Sequence, residues 1–239
     1  MNMKSQLFPN SAGVVPDALN QGILSAFSLT QELQDMMVIT GAAGTGKTSA
    51  ARHYQQCART VWLATMTPAS ASLAGCLERV ARAMGIEGTA HRVSRLDEVI
   101  TARAFGTGGL LIVDEAQHLS VAALEGLCRL QDQAQIGTVI MAAKCSQRAS
   151  PVGRGELASP IGRHLALERP EEGDVARLLA AWDVPGKVRE LCHWISRQPG
   201  ALHVLRSILR IALLLAENEG QDLAESHVKA AWSDLRGAA

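Results

Sequence analysis

A parallel α/β domain followed by a small all-helical one is the fold that this sequence predicts, and three observations carry it. Short apolar runs of strand-forming residues alternate with helix-period segments between Met36 and Leu167, the pattern of a parallel sheet covered on both faces. The first of those runs ends in a Gly-rich loop that opens directly into a helix. From Pro170 onward the pattern is helical alone.

Taken in order, residues 1–15 contain Pro9, Asn10, Ser11 and Gly13 with no apolar period and predict a flexible arm. Pro16–Gln34 reads as a helix with Leu19, Ile23, Phe27 and Leu29 near one side. Met37–Ile39 is a strand, Lys47–Ala58 a helix, and Thr60–Thr65 a second buried strand ended by Pro68. Leu73, Leu77, Val80, Ala81 and Met84 recur at helical spacing until Gly85 stops them. Another helix spans Val93 to Phe105. The apolar run Leu110–Val113 ends in Asp114-Glu115, and Ser120 caps a helix with Leu124, Leu127 and Leu130 inward. Thr138–Met141 is a fourth strand, Ser146–Gly162 a loop-rich stretch, and His164–Leu167 a fifth strand. Four amphipathic helices then follow: Glu171–Trp182, Gly186–Arg197, Ala201–Glu217 and Leu223–Leu235. The third, rich in Leu and Ile, is the expected centre of a small bundle. The predicted division is therefore an arm 1–15, an α/β domain 16–169 and a helical lid 170–239.

Composition bounds the function. Of 239 residues 47% are apolar but only 3% aromatic, so the core is built from Ala, Leu, Val and Ile. Trp62 and Trp194 are expected in that core, and no set of exposed aromatics offers a stacking platform for single strands. A formal net charge of +0 excludes a global positive field, so any nucleic-acid contact has to come from a local patch. Five widely spaced cysteines (Cys57, Cys76, Cys128, Cys145, Cys192) without a CxxC pair read as reduced thiols in a cytosolic protein, not as metal ligands. The N-terminus lacks the pattern of a signal peptide, and the longest apolar run, Ile211–Ala216, is too short to span a bilayer. A cytoplasmic location with no membrane partner is expected.

The chemistry is concentrated in two stretches. Gly41-Ala42-Ala43-Gly44-Thr45-Gly46-Lys47-Thr48 is GxxxxGK[ST] in the setting that gives the motif meaning, strand before and helix after. Its glycines admit conformations closed to other residues, so that successive backbone N–H groups turn inward on phosphate oxygens. The helix start at Lys47-Thr48-Ser49 favours the same anion. Lys47 is suited to the β- and γ-phosphates and the Thr48 hydroxyl to Mg²⁺. These residues predict a nucleoside triphosphate site holding ATP and Mg²⁺. Asp114 and Glu115 supply the second half, Asp114 completing Mg²⁺ coordination through water and Glu115 orienting and deprotonating an attacking water. The adjacent Glu argues for a hydrolytic ATPase over a kinase or GTPase, and the helical tail for the lid of a P-loop ATPase of the AAA+ class with a parallel five-stranded sheet.

The words VITGAAGTGKTSAARHY, VWLATMTPASAS, LLIVDEAQHL, LCRLQDQAQIGTVIM and QPGALHVLRSILRIA resemble the B transposition proteins of Mu-like phages and, more distantly, the TnsC-type regulators of bacterial transposons. The resemblance runs from about Pro16 to Leu235. It implies an ATP-dependent protein that binds double-stranded DNA, self-associates into a filament on it, and delivers that target DNA to a DDE transposase, stimulating transposition. The sequence also departs from the family pattern. The family carries an N-terminal helix-turn-helix domain where this sequence has a short arm. A Gly-Asn that senses the γ-phosphate is replaced here by Ala142-Ala143, then Lys144. A Ser-Arg-Ile resembling an arginine finger is replaced by Ser159-Pro160-Ile161, leaving Arg163 or Arg154 as the nearest cations. The lid motif reads Gly200-Ala201-Leu202-His203, with Arg206 one turn on. A neutral His is a poor substitute for a permanent cation. Arg163 has a plainer alternative, a surface salt bridge to Glu171 or Glu172.

DNA-contact candidates lie between the second and third strands: His91, Arg92, Arg95 and Arg103, with the alternative of a solvated helix face partnered by Asp97 and Glu98. Lys144 and Arg148 form a weaker patch that favours plain solvent exposure. Two rival functions remain at this level. One is a nucleotide-gated DNA-bound scaffold with negligible turnover. The other is a secretion-type AAA ATPase, which would be expected to carry a membrane or peptidoglycan-binding extension that this sequence does not show.

Overall fold

The computed structural model describes residues 18–86, 93–143, 162–167, 172–198 and 201–237. The expected arm 1–15 and most of the loop-rich stretch 146–162 lie outside the described residues. Two compact units divide the chain between Leu167 and Glu168. The larger holds Gly22–Ala42 and Lys47–Leu167, while the loop Ala43–Gly46 groups with Glu168–Ala239.

The larger unit is a five-stranded sheet, all pairings parallel, with β1 Met36–Gly41, β2 Val61–Thr65, β3 Leu110–Asp114, β4 Gly137–Ala143 and β5 Arg163–Leu167. The spatial order is β2-β3-β4-β1-β5. Its strands read as continuous apolar runs because they are covered on both faces; Leu110 to Val113 are wholly buried. The edge strand β5 is covered less and alternates, with His164 and Ala166 exposed and Leu167 buried. Helices α1 Ala18–Leu33, α2 Lys47–Cys57, α3 Leu73–Ala83, α4 Val93–Ala104 and α5 Val121–Ala134 cover the sheet.

Caps and apolar stripes fix these helices. Ser72 accepts from Gly75 N and Ser120 from Ala123 N, each at 3.2 Å, a device worth ~1 kcal/mol per helix start. The inward α5 stripe of Leu124, Leu127 and Leu130 is completely buried, and burying each such side chain contributes roughly 1.5–3 kcal/mol. Along α1 the expected face needs one correction. Ile23 and Phe27 are buried with Ala26 and Thr30, but Leu29 is exposed, because it lies two residues past Phe27 and so points away from the stripe.

The second unit is a bundle of α6 Glu172–Ala181, α7 Gly186–Ser196, α8 Ala201–Glu219 and α9 Glu225–Gly237. Its core gathers Val175, Leu179, Val188 and Cys192 with Leu205, Ile208, Leu209 and Ala212 of α8, so α8 is the central helix as expected. Trp194 is the exception. It is 49% exposed and packs edge-on against Trp232 with ring centroids 5.5 Å apart; the indole covers the bundle's surface instead of filling its centre. Burial pushes the Cys76 thiol up to about 12 and the Cys192 thiol to about 11, which leaves both as inert packing groups.

Candidate nucleotide site

The sheet order decides where the two motifs meet. β1 and β3 are separated by β4 alone, and because all strands run the same way, their C-terminal ends share one edge, the place where open α/β sheets bind ligands. The loop 41–46 leaves β1 there, Asp114 ends β3 there, and Ala143 at the end of β4 lies between them.

Within the loop, Gly44 and Gly46 take positive φ values of 84° and 89°. A residue with a Cβ would be strained at either, which is why the motif requires glycine there. Lys47 begins α2, and its Nζ donates to the carbonyls of Gly41 at 2.8 Å and Ala42 at 3.0 Å. Burial lowers its pKa, opposed by Asp114 and Glu115. Thr48 Oγ1 donates to Asp114 Oδ2 at 2.7 Å, bridging the two motifs across β4. Asp114 is 1% exposed. Its burial raises its pKa, against the hydrogen bonds from Thr48 and from the Glu115 backbone N–H, which donates to Oδ1 at 2.9 Å.

This donor set fits a magnesium nucleotide. A hydroxyl and a carboxylate, already paired, offer the hard oxygen ligands that Mg²⁺ prefers alongside phosphates and water. Lys47 and Asp114 are both buried at this strand edge, where an ammonium would suit phosphates and a carboxylate a divalent cation. Mg²⁺ held there would neutralise charge on the β- and γ-phosphates.

Glu115 follows Asp114 in the left-handed conformation, φ 57° and ψ 35°. Such a conformation is uncommon in a residue with a side chain, and its occurrence at a strand end beside a reactive site marks local strain held by the surroundings. The carboxylate accepts a hydrogen bond from Gln117 Nε2, and Gln117 Oε1 in turn accepts from the Ala143 backbone N–H at 3.0 Å. Residue-type reasoning passes over Gln117. The signal available was a carboxamide two residues past the base, opposite a strand end, Ala142-Ala143, with no polar side chain.

The remaining candidates are spread more widely. Arg163 begins β5, at the sheet edge opposite the loop, and its guanidinium is engaged by Asp35 and Thr30; the alternative partners Glu171 and Glu172 lie, with their side chains, outside the described residues. Arg206 lies on α8 and is half-buried. His203 is on the same helix, though its side chain, like Arg92, Lys144, Arg148 and Arg154, lies outside the described residues. Arg95 and Arg103 are both exposed on α4. A turn of about 100° per residue sets Arg103 about 80° to one side of Arg95 and Glu98 about 60° to the other, with Asp97, Thr101 and Phe105 farther round beyond Glu98. The acidic flank lines an open groove with Gln133, and among the described residues no ion pair joins it to the arginines. The Asp97 and Glu98 partnership is thus not made by Arg95 or Arg103, while His91 and Arg92 lie outside the described residues.

Residues 30–147 match the family described as AAA domain, and residues 159–235 the family described as Mu B transposition protein, C terminal. Over 214 residues, covering 87% of this chain and 68% of the relative, the sequence is 34% identical to ATP-dependent target DNA activator B of Escherichia phage Mu. The chain belongs to the Mu B transposition protein family. A further member, Mu-like prophage FluMu DNA transposition protein B of Haemophilus influenzae, is 26% identical over 85% of this chain and 74% of its own length. Among solved structures, the Aeropyrum pernix ORC1 protein in complex with DNA aligns with a TM-score of 0.71 at 17% identity, covering 97% of this chain and 69% of that one. The Thermotoga maritima RuvB Holliday junction branch migration motor aligns at 0.58 with 16% identity, covering 92% and 69%. At such identities the likeness speaks for the fold, the AAA+ P-loop architecture, and this family member shares it. No helix among the described residues is long and apolar enough to cross a membrane.

Proposed function

We propose that this chain is an ATP-hydrolysing AAA+ protein that assembles on duplex DNA and presents it as a target to a Mu-like DDE transposase, in the cytoplasm of a bacterial host. The observation that carries the ATPase reading is the Thr48–Asp114 hydrogen bond of 2.7 Å across β4, which joins a phosphate loop to an acidic strand end with Glu115 next in the chain. In this reading Lys47 leaves the Gly41 and Ala42 carbonyls for the β- and γ-phosphates. Thr48 and Asp114 hold Mg²⁺, and Glu115 accepts the proton of the attacking water. Gly41 to Ser49 cradle the phosphates. The DNA and transposase parts of the reading are supported by family membership and by the exposed flank of Arg95 and Arg103, continued in sequence by Arg92. Contacts of a few phosphates per subunit, repeated along a filament, sum to salt-sensitive duplex binding despite a net charge of +0.

A second reading, a nucleotide-gated scaffold with negligible turnover, is favoured by one observation: Arg163, the nearest described cation to the altered finger motif, is occupied by Asp35. A transferred arginine can raise hydrolysis ~10³-fold or more, so its engagement elsewhere points to slow chemistry. Electron microscopy of the protein with duplex DNA, with and without ATP, alongside phosphate release, tests both. ATP-dependent filaments with DNA-stimulated release support the first reading. Filaments without release support the scaffold, and no assembly under any condition overturns both.

A further inference from the structure

We infer that Gln117 is the positioning residue for the Glu115 carboxylate, and that it ties the hydrolytic base to the end of β4. This rests on the ATPase reading above and names a part of that site which no motif specifies.

The two ends of one carboxamide differ in chemistry. Its oxygen can only accept and its nitrogen can only donate. The Ala143 backbone N–H donates to Oε1 at 3.0 Å, which fixes which end of the amide faces β4. The opposite end, Nε2, then necessarily points its hydrogens away from that strand, and they meet Glu115 Oε2. A backbone amide anchored in a buried parallel strand therefore dictates the orientation of the side chain expected to take the proton. Gln117 is able to reach both because Ala116–His118 forms a 3₁₀ turn directly after Glu115, bringing the side chain back over the strand ends. Both hydrogen bonds lie within the larger unit.

The surroundings leave this task to Gln117. Ala142 and Ala143 bring only methyl groups to the end of β4, so the polar group offered there by the described residues is the Ala143 N–H itself. Glu115 sits at φ 57°, a conformation that its own backbone does not favour. A carboxylate on such a backbone has to be held from outside, and the hydrogen bond on its oxygens comes from Gln117. Positioning matters at this level because displacement of a base by about 1 Å can cost ~100-fold in rate. The chain Ala143 N–H to Gln117 to Glu115 also gives movement of the β4 end a direct route to the base.

Two variants separate the ends of the amide. Gln117→Glu keeps an oxygen for the Ala143 N–H but removes the donor to Glu115; Gln117→Ala removes both. Single-turnover cleavage of ATP on duplex DNA and hydrogen exchange of the Ala143 amide in nucleotide-free protein are measured for each, with ATP affinity as the control for folding. Both variants are expected to bind ATP within about twofold of wild type and to lose tenfold or more in the cleavage rate. Ala143 exchange is expected to rise tenfold or more in Gln117→Ala and to stay near wild type in Gln117→Glu. Wild-type cleavage in Gln117→Glu, or unchanged Ala143 exchange in Gln117→Ala, overturns the proposal. Loss of ATP binding in both variants also overturns it, since Gln117 would then serve the fold. Wild type that binds ATP but never cleaves it removes the hydrolytic reading, and the positioning role falls with it. Wild-type cleavage with unaffected variants rejects the Gln117 role alone.

Discussion

Arg163 and Asp35 lock the N-terminal ends of β5 and β1 together: Nε and one terminal nitrogen of the guanidinium reach the two carboxylate oxygens at 2.9 and 2.6 Å. Thr30 Oγ1 accepts a third bond at 2.9 Å, so three of the guanidinium's hydrogen bonds are made within the subunit. A bidentate, partly buried pair of this kind is stronger than an ordinary surface bridge. Breaking it should cost about 1 kcal/mol, or roughly 2–4 °C in Tm for a chain of this size. Arg163→Ala is expected to lower the Tm more than Asp35→Ala, because it also loses the Thr30 bond, and the double variant to add little to Arg163→Ala. The same pair separates a structural from an intersubunit role. If only Arg163→Ala, and not Asp35→Ala, abolishes ATP-dependent assembly, the arginine acts across the interface.

Lys47→Ala should weaken ATP binding and, with it, every ATP-dependent step. Charge-assisted hydrogen bonds are worth roughly 1.5–3 kcal/mol each, so affinity should fall by about tenfold to over a hundredfold. Isothermal titration with ATP·Mg²⁺ measures it, and wild-type affinity would remove Lys47 from the site.

Glu115→Gln should keep nucleotide binding and filament formation while cleavage falls by roughly 10²–10⁴-fold, the usual worth of a general base. The amide can still accept from Gln117 Nε2, so the loss belongs to proton acceptance and not to misfolding. Normal phosphate release in that variant would show that another group takes the proton.

Asp114 yields a prediction of opposite sign for stability and for binding. Burial raises its pKa in the nucleotide-free fold, so between its unfolded value, near 3.9, and the raised folded value the folded state holds the extra proton. The stability of the empty protein therefore falls as pH climbs through that window, and at neutral pH the ionised carboxylate is a burden until Mg²⁺ arrives. Asp114→Asn should raise the Tm of the nucleotide-free protein at pH 7 and leave it less dependent on pH across the acidic range. Its Oδ1 can accept from the Glu115 N–H and its amide can donate to Thr48. Stabilisation by ATP should at the same time lose its dependence on Mg²⁺. A lowered Tm without nucleotide would show that the charge is better compensated than its surroundings imply.

For DNA, Arg95→Ala combined with Arg103→Ala should leave ATP affinity unchanged and weaken duplex binding. The slope of log affinity against log salt should drop by about one for each phosphate that is no longer neutralised. An unchanged slope would clear this flank of α4 of any role in binding DNA.

Legibility in the sequence followed burial. β1 to β4 were readable because strands covered on both faces leave unbroken apolar runs. The loop was readable because its glycines answer a backbone requirement that few other residues meet. Asp114 and Glu115 stood out because charge at the end of a buried run is costly and so conspicuous. What failed to show were pairings between distant segments. Nothing near Arg163 in the sequence announces Asp35, 128 positions away, whereas Glu171 and Glu172 are acids close by in sequence and so the ones that local reading reaches first. Leu29 and Trp194 misled because hydrophobicity marks a preference for burial, while the helix face decides whether it is met. Gln117 was hidden for another reason: an amide has no charge and no motif, and its role exists only through the hydrogen bonds at its two ends.

The Trp194–Trp232 pair gives the molecule an uneven optical signature. Trp182, Trp194 and Trp232 all belong to the Glu168–Ala239 unit, leaving Trp62 on β2 as the remaining indole of the chain's four. Intrinsic emission during a melt will follow the helical bundle above all, whereas amide ellipticity averages over both units. Trp194, half in water and edge-on to its neighbour, will dominate quenching by iodide, while Trp62, 7% exposed, stays dark to it. Loss of accessible quenching without loss of ellipticity is then a dye-free test of whether the outer face of α7 becomes covered when ATP and duplex DNA are added.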